Sequence, residues 1–461
     1  MSQQPQIHHL TPTEKRAATS LSGIFFVRML GLFMVMPVLS LYVEDLPGAT
    51  PMLVGLAMGI HGLTQGLLQI PFGIASDRLG RKRVIVFGLL LFCAGSVLAA
   101  VADDIHGIIL GRALQGGGAI ASALMALTAD LTREEHRMKA MAMMGMSIGM
   151  AFMTALVVGP MVDHWIGLSG IFWFTAAMAL VALAILLLVV PTPVSSCLHR
   201  DAQPVPAQFL QVLRDTQLLR LDLGIFLLHL ITTASFISFP LVFREVVGLP
   251  SGHHWWIYLP VLVVSVGLMV PFIIIAEKHR RMKAVYLGAI AVLGASQLMM
   301  AELYHHTWIL ILLMVVFFAG FNLLEASLPS LVAKFSPPES KGTAMGFYSS
   351  SQYLGIFTGG ALGGVLLHHF GYQGVFVLGG VAALVWLLAA AGMKSPRYLS
   401  SYLLHVGVLD EEQARHLTLR LVQVPGVAEA VVIPGDESAY LKVDSKALDE
   451  ERLLALVDGE G

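Results

Sequence analysis

The sequence has few charged residues, only two cysteines and a single asparagine. Aspartate, glutamate, lysine and arginine make up 13% of its 461 residues, whereas soluble globular proteins average about a quarter. This shortage, together with 56% hydrophobic residues and a mean hydropathy of +0.76, excludes an ordinary soluble enzyme, a disordered protein and a nucleic-acid binder. Cys93 and Cys197 cannot form a disulfide framework, and Asn322 lies outside any glycosylation sequon. A polytopic membrane protein is the class that remains.

Apolar segments of about 20 residues, the length of a helix that crosses a bilayer, recur along the chain. Twelve are predicted, near 20–43, 53–74, 83–102, 106–130, 138–162, 170–190, 221–243, 254–276, 284–302, 307–333, 342–367 and 372–393. A polar segment separates them into two groups of six. The sequence therefore predicts an N-terminal bundle over 1–190, a cytosolic linker over 191–220 and a C-terminal bundle over 221–395.

Basic residues lie almost entirely in alternate loops. The loops on one predicted side of the membrane contain Arg244 alone, whereas the other side carries clusters such as 81–83. The positive-inside rule then predicts that both chain termini are cytosolic. Segment 71–83 is echoed 200 positions later by 271–283. A parallel repeat of six-helix halves is typical of transporters with a substrate site between the halves.

The segment 402–461 is acidic and differs in composition from the rest. Its pattern predicts a strand (402–408), a helix (411–423), two strands (427–433 and 439–443) and a helix (449–457). This order predicts a small ferredoxin-like α+β domain. The domain has no cysteine, which excludes a soft-metal Cys-x-x-Cys site. Its role is open between a solubilising or self-associating cap and a regulatory module.

The segment from Gly73 to Arg83 reads Gly-Ile-Ala-Ser-Asp-Arg-Leu-Gly-Arg-Lys-Arg and resembles motif A of the major facilitator superfamily. Gly73 permits close helix approach, Gly80 permits a tight turn, and Asp77, at a membrane boundary, needs a partner. A basic loop that only sets topology is the alternative interpretation.

The motif A resemblance implies a conformational clasp on the cytosolic side. It places Asp77 opposite the start of the eleventh span, near Thr343, and pairs Arg81 with Asp130. These contacts would hold that side shut and break when it opens. The residues assigned to the clasp are Gly73, Asp77, Arg78, Gly80, Arg81 and Asp130.

Two further segments resemble motifs of the same superfamily. Arg112-Ala-Leu-Gln-Gly resembles motif B, which implies a role near proton coupling, although an arginine tied to backbone carbonyls explains the residue equally well. Gly159-Pro160 resembles the core of the antiporter motif C, but the expected Gly-Gly is absent, so a simple helix kink is the alternative.

Polar residues within the predicted spans are candidates for a site. Glu325 is the first choice for proton coupling, because a carboxylate in a low dielectric can carry a proton. Arg28 lies in another span that lines the cavity in this superfamily, and the alternative is a purely structural Arg28–Glu325 pair or separately satisfied polar groups. Asn322 is predicted to share the Glu325 face. The full set of cavity candidates is Glu325, Arg28, Arg112, Asn322, His61, Gln65 and His229.

The motifs and the appended small domain together resemble the YajR-like branch of the major facilitator superfamily. The resemblance implies an all-α membrane fold of two six-helix bundles and a proton-driven efflux antiporter of the bacterial inner membrane. Alternating access would export small apolar or cationic compounds; a solute importer and a membrane sensor signalling through the small domain are alternatives. We expect a small-molecule substrate, protons and lipid as partners, self-association through the small domain, and neither enzyme activity, cofactor, metal nor nucleic acid.

Overall fold

The larger part of the structure is a helical membrane domain. The computed structural model describes residues 11–42, 45–192, 208–337, 340–395, 400–435, 437–444 and 447–458. The first half contains α1 (Pro12–Phe33), α2 (Pro51–Leu79), α3 (Arg81–Ala100), α4 (Ile105–Gly117), α5 (Ala121–Asp130) and α6 (Glu134–Leu188). The second half contains α7 (Phe209–Arg214), α8 (Thr216–Glu245), α9 (Trp255–Lys278), α10 (Met282–Leu303), α11 (Thr307–Phe335) and α12 (Lys341–Ala391).

Ten helices in these ranges are long and apolar enough to cross a bilayer, with α4 and α5 counted together. Two of the ten, α6 and α12, each contain one non-helical glycine, Gly167 (φ 68°) and Gly371 (φ 63°). Glycine adopts a positive φ without strain, so the chain can turn at both points. Dividing α6 and α12 there gives twelve spans, numbered 1 to 12 below, which confirms the predicted membrane fold.

Two helices begin earlier than the apolar pattern predicts. The first, α1, begins at Pro12 rather than near residue 20, because Thr11 and Glu14 form a reciprocal capping box. The other, α8, begins at Thr216 rather than 221, because Asp215 caps its first turn. Part of the predicted linker 191–220 is therefore helical, while its residues 193–207 lie outside the described part of the chain.

Span 4 is interrupted, although the sequence predicts one helix over 106–130. The helix α4 ends at Gly117 and α5 begins at Ala121, with Gly118 between them. Irregular backbone at this depth is tolerated only where other protein groups satisfy it. The Gly118 carbonyl accepts a hydrogen bond from Arg28 Nη2 at 2.7 Å, which meets that requirement.

Glycines bring the two halves into backbone contact at one end of the molecule. We call the end that carries 73–83 the motif A end and the opposite end the far end. Towards the far end, a Cβ at Gly55 would lie 2.3 Å from the Gly360 carbonyl oxygen, and one at Gly59 would lie 2.7 Å from that of Phe357. Only glycine permits such an approach of spans 2 and 11. The halves are therefore closed on each other at the far end.

The C-terminal segment forms a small α+β domain, as predicted. It contains β1 (Ser400–His405), α13 (Glu411–Leu421), β2 (Val427–Val432), β3 (Ser438–Val443) and α14 (Glu450–Asp458). The sheet is antiparallel in the order β1-β3-β2, and its core includes Leu417, Leu421, Leu441 and Leu453. This confirms the βαββα order, with β1 starting two residues before the predicted strand.

The small domain contacts the second half at the motif A end. Lys442 Nζ donates to the Ser336 carbonyl at the C-terminal end of α11, where the helix dipole favours a cation. Arg280, in the turn after α9, pairs with Asp444 at 3.1 Å. The strand β3 and the residue after it therefore attach the domain to the ends of α9 and α11.

The glycine packing at the far end predicts a strong effect from one added methyl group. We expect Gly55→Ala to lower the stability of the purified protein by about 1–3 kcal/mol, the usual cost of overpacking. Thermal unfolding in detergent, followed by tryptophan fluorescence, measures this effect.

Gly288→Ala is the matched control, because a Cβ there meets nothing within 4 Å. It should leave the unfolding temperature unchanged or raise it slightly, since alanine favours helix. Equal unfolding temperatures for the Gly55 variant and the wild type would contradict the proposed contact.

Candidate functional site

A buried polar network surrounds Arg112 in the first half. Its guanidinium donates to Gln115 Oε1 at 2.9 Å and to the Ala57 carbonyl at 3.4 Å, and contacts His61 Nδ1 at 2.9 Å. Arginine can only donate, so His61 Nδ1 accepts and carries no proton in this arrangement. Gln115 in turn donates to Ser96 at 2.8 Å. The predicted residues Arg112 and His61 are thus in direct contact.

Gly116, the last residue of the motif B segment, allows this network to form. A Cβ at Gly116 would lie 2.1 Å from the His61 carbonyl oxygen and 2.2 Å from Thr64 Oγ1. Spans 2 and 4 can therefore approach closely only with glycine at this position. Thr64 completes the contact by donating to the Ala113 carbonyl at 2.9 Å.

Arg28 forms a second polar cluster in the first half. Its Nη2 donates to Gln65 Oε1 at 3.1 Å and to the Gly118 carbonyl at 2.7 Å. The guanidinium carbon lies 5.5 Å from the centre of the Phe92 ring, within the range of a cation–π contact. Since α1 begins at Pro12, Arg28 lies about four helical turns from its start.

Glu325 forms a polar cluster in the second half. Gln352 Nε2 donates to Glu325 Oε1 at 3.4 Å and lies 2.9 Å from His229 Nε2. His229 Nε2 is 3.9 Å from the other oxygen, Glu325 Oε2. The structure therefore brings Glu325 and His229 together, with Gln352 between them on span 11.

The suggested direct pairing of Arg28 with Glu325 is wrong for this conformation, because each has other partners. Tyr353 of span 11 lies between the two clusters. It follows Gln352, which contacts Glu325, and its Cβ would lie 3.4 Å from a Cβ at Gly66, the neighbour of Gln65. Asn322, predicted to share the Glu325 face, contacts another helix. Asn322 Nδ2 donates to Ser265 Oγ at 3.1 Å, which directs it towards α9.

Motif A forms an ion-pair network at its own end of the first half. Arg81 begins α3 directly after Gly80, whose φ of 95° makes the turn. Its guanidinium pairs with Asp77 and, through Nε at 3.2 Å, with the buried Asp130 carboxylate. It also donates to Ser76 Oγ at 2.8 Å. The implied Arg81–Asp130 pair is present, and these contacts hold spans 2, 3 and 4 together.

Three other residues expected to act in the motif A clasp, or opposite it, make contacts of their own or lie exposed. The Thr343 hydroxyl, expected opposite Asp77, donates to Gln208 Oε1 at 3.0 Å. The buried Gly73 contributes its carbonyl as an acceptor for Ser76 Oγ at 2.7 Å. Arg78 is exposed in the last turn of α2. The described Arg81 contacts therefore join spans of one half rather than the two halves.

Gly159 and Pro160 lie where span 5 packs on the end of span 1. A Cβ at Gly159 would lie 2.7 Å from the Met34 carbonyl oxygen and 3.1 Å from Pro37 Cγ. Pro160 lies inside α6, away from the non-helical residue at 167. Gly159 therefore allows spans 1 and 5 to approach closely, and the turn in α6 occurs seven residues after Pro160.

A chain of polar contacts crosses the far end, and the motifs did not predict it. On the side of the first half, Tyr42 donates to Asp163 Oδ1 at 2.7 Å and accepts from the Leu168 backbone N–H at 3.2 Å, beside the Gly167 turn. Burial and the Asp163 hydrogen bond raise the pKa of Tyr42, so its hydroxyl keeps the proton that it donates.

The same chain continues into the second half through Arg244. Its Nη1 donates to the Leu41 carbonyl at 2.9 Å, and its Nη2 contacts Glu245 at 3.2 Å. Glu245 also accepts a hydrogen bond from Tyr372, beside the Gly371 turn. The sequence held one signal for this contact, because Arg244 is the lone basic residue of the loops on its predicted side.

The sequence model of the family described as the Major Facilitator Superfamily matches residues 21–278 and 221–401. The chain belongs to the major facilitator superfamily. A second model, the YajR YAM domain, matches residues 410–453 of the small domain. The inner membrane transport protein YajR of Escherichia coli (strain K12) is 45% identical over 440 residues, which cover 95% of this chain and 96% of that protein. This major facilitator is therefore YajR-like, as the sequence motifs implied.

More distant relatives agree with this assignment. The multidrug resistance protein MdtH of Yersinia enterocolitica is 29% identical over 342 residues, covering 73% of this chain and 82% of MdtH. A crystal structure of a bacterial homologue of the human lysosomal transporter Spinster, inward-facing and occupied, aligns with a TM-score of 0.67. That alignment has 14% identity and covers 83% of this chain and 96% of the other. The protein is thus a multi-pass membrane transporter and not an enzyme.

Because Arg81 and Asp130 form a buried pair, we expect the effects of replacing them on the free energy of unfolding to be strongly coupled. We expect Arg81→Met to destabilise the transporter by about 3–5 kcal/mol, because the buried Asp130 carboxylate loses the guanidinium beside it. The double variant Arg81→Met/Asp130→Leu should recover much of that loss. Chemical unfolding of the two single variants and the double variant forms a double-mutant cycle that measures the coupling.

Arg78→Met is the control, since Arg78 lies exposed in the same motif. Its effect should stay within about 0.5 kcal/mol, as for most exposed substitutions. Additive effects of the Arg81 and Asp130 substitutions would contradict a coupled pair.

Proposed function

We propose that this transporter is a proton-driven antiporter that exports small molecules across the bacterial inner membrane, with Glu325 as the proton-carrying group. The observation that carries the proposal is the Glu325–Gln352–His229 cluster on spans 10, 11 and 7. A carboxylate within a membrane span is expensive and marks ion or substrate pathways. The relatives named YajR and MdtH, an inner membrane transport protein and a multidrug resistance protein, support the location and the efflux direction.

The geometry of the cluster supports a proton exchange at Glu325. His229 Nδ1 lies 3.2 Å from the Ile225 carbonyl and donates to it, which leaves Nε2 as an acceptor for Gln352. In this tautomer His229 is neutral. A proton arriving at Glu325 removes the negative charge, and a proton arriving at His229 Nε2 creates a cation 3.9 Å from Glu325 Oε2. Either event changes the charge that a substrate beside Glu325 would encounter.

We further propose that the motif A end is cytosolic and the far end periplasmic, so both termini are cytosolic. The concentration of basic residues at the motif A end supports this orientation. The bundles predicted over 1–190 and 221–395 would be the units that move against each other. The conformation described here is closed at the far end by the glycine contacts of spans 2 and 11, and near the middle of the spans Phe152 packs on Phe236 and Phe321 with ring centres 6.0 and 5.5 Å apart.

The polar chain at the far end is proposed to act as a latch for this conformation. Arg244 links the second half to the Leu41 carbonyl of the first, and opening of the far end would break that bond. Motif A is proposed to act at the other end, where Asp77 would contact the start of span 11 once that end closes. The two devices would then stabilise opposite states of one cycle.

The proposed role of Glu325 predicts a specific transport defect. In sealed liposomes, we expect Glu325→Gln to abolish substrate-triggered proton flux, because the amide cannot take up a proton at the pH of the assay. Substrate exchange without a gradient should persist. A pH-sensitive dye inside the liposomes and a panel of lipophilic cations, drugs and sugars provide the measurement.

Glu302→Gln is the control for this experiment, because Glu302 is exposed at the far end and contacts Gln373. It should transport like the wild type. Proton flux that survives in Glu325→Gln would refute the coupling role, and proton movement in the same direction as the solute would instead indicate an importer.

The latch predicts a shift in conformation when Arg244 is replaced. We expect Arg244→Gln to increase the reactivity of a cysteine introduced at Ser40, a fully buried residue beside Leu41, towards a membrane-impermeant maleimide added from the far side, since far-end opening becomes easier. Asp103→Asn, in the exposed loop after span 3, is the control and should leave the reactivity unchanged. Equal labelling of the Arg244 variant and the parent would exclude a latch.

A further inference from the structure

Arg28 and Gln65 of the first half, called the first wall below, present buried donors without partners. Arg28 is 1% exposed, and its Nε and Nη1 have no hydrogen-bond partner among the described protein atoms. The same holds for Gln65 Nε2, whose oxygen is already used by Arg28. Leaving such donors unsatisfied in a buried position is costly. An acceptor that arrives from outside the protein would satisfy them.

The second wall presents the opposite chemistry. Glu325 Oε2 has no hydrogen-bond partner among the described atoms, whereas Oε1 accepts from Gln352. Tyr353 lies between the two walls, since it follows Gln352 along span 11 and packs against Gly66, the neighbour of Gln65. A donor-rich wall therefore faces a wall with an available carboxylate oxygen across a single tyrosine.

We propose that the two walls line a cleft that selects compounds carrying an acceptor group such as a carboxylate together with an amine, that is, zwitterions. The acceptor would take the N–H groups of Arg28 and Gln65, and the ammonium group would contact Glu325 Oε2. The inference rests on the proposed transport function and differs from the small apolar or cationic compounds that the family resemblance implies. An apolar compound would leave both walls unsatisfied, and a simple cation would satisfy only one.

Proton coupling follows from the same arrangement. A proton and a substrate ammonium group compete for the Glu325 carboxylate, so that binding of one favours release of the other. The Arg28 wall keeps its charge throughout, because arginine does not lose its proton in proteins. It therefore holds the acceptor group of the substrate in a way that the proton does not affect.

The test uses three probes with one skeleton. The first is a piperazinyl quinolone carboxylic acid, which is a zwitterion. Its methyl ester lacks the carboxylate and is a cation, and its N-acetyl derivative lacks the basic amine and is an anion. Binding to the purified full-length protein is measured by calorimetry without a proton gradient. We expect the zwitterion to bind at least about tenfold more tightly than either derivative, since each loses one charge-assisted contact.

Variants assign each contact to its wall. Arg28→Gln should bring the zwitterion to the affinity of the ester while leaving ester binding unchanged. Glu325→Gln should bring it to the affinity of the N-acetyl derivative. Arg28→Lys, which keeps the charge, provides a second variant should Arg28→Gln unfold. Gln297→Leu is the control, because this buried glutamine donates to Ser235 within the second half, and it should not alter the order of affinities.

Equal binding of the three probes, tightest binding of the ester, or no binding of any probe would overturn the proposal. The test separates this inference from the proposed function, because it requires no gradient. A zwitterion preference in a protein that moves no protons would leave the site assigned and the antiporter refuted. Proton exchange with a cationic probe alone would support the antiporter and refute the zwitterion site.

Discussion

Every polar group placed within the bilayer must find its partner inside the protein, and the architecture of this transporter depends on that requirement. The requirement explains why Arg28 lies against the interrupted span 4, where the Gly118 carbonyl is available to it. It also explains the network of Arg112 with His61 and Gln115. Arg28 and Glu325 are among the described residues whose buried side-chain atoms have no partner, and they are the charged pair that we propose a ligand completes.

The two ends of the molecule are stabilised by different contacts. Glycines of spans 2 and 11 allow backbone contact towards the far end, where the Arg244 chain adds directional bonds between the halves. At the motif A end, the described Arg81 contacts remain within the first half. The two copies of the internal repeat make different contacts, because the turn within the second copy, directly after α9, contacts the small domain through Arg280 and Asp444.

The described contacts of the small domain reach the second half. Lys442 reaches the C-terminal end of α11, and Arg280 reaches Asp444 from the turn after α9. This placement gives the acidic segment a defined position beside the ends of spans 8 and 10, which composition did not predict.

The sequence by itself determined the membrane class, the twelve spans and the small domain, whereas the Arg81–Asp130 pair came from the family resemblance. Hydropathy and glycine positions are local patterns with a direct physical consequence. Only the tertiary structure decided that Asn322 turns to Ser265, that Glu325 lies near His229, and that Tyr353 lies between the Arg28 and Glu325 clusters. The partner of a buried side chain depends on how helices distant in sequence rotate and cross, and helical periodicity does not determine that geometry.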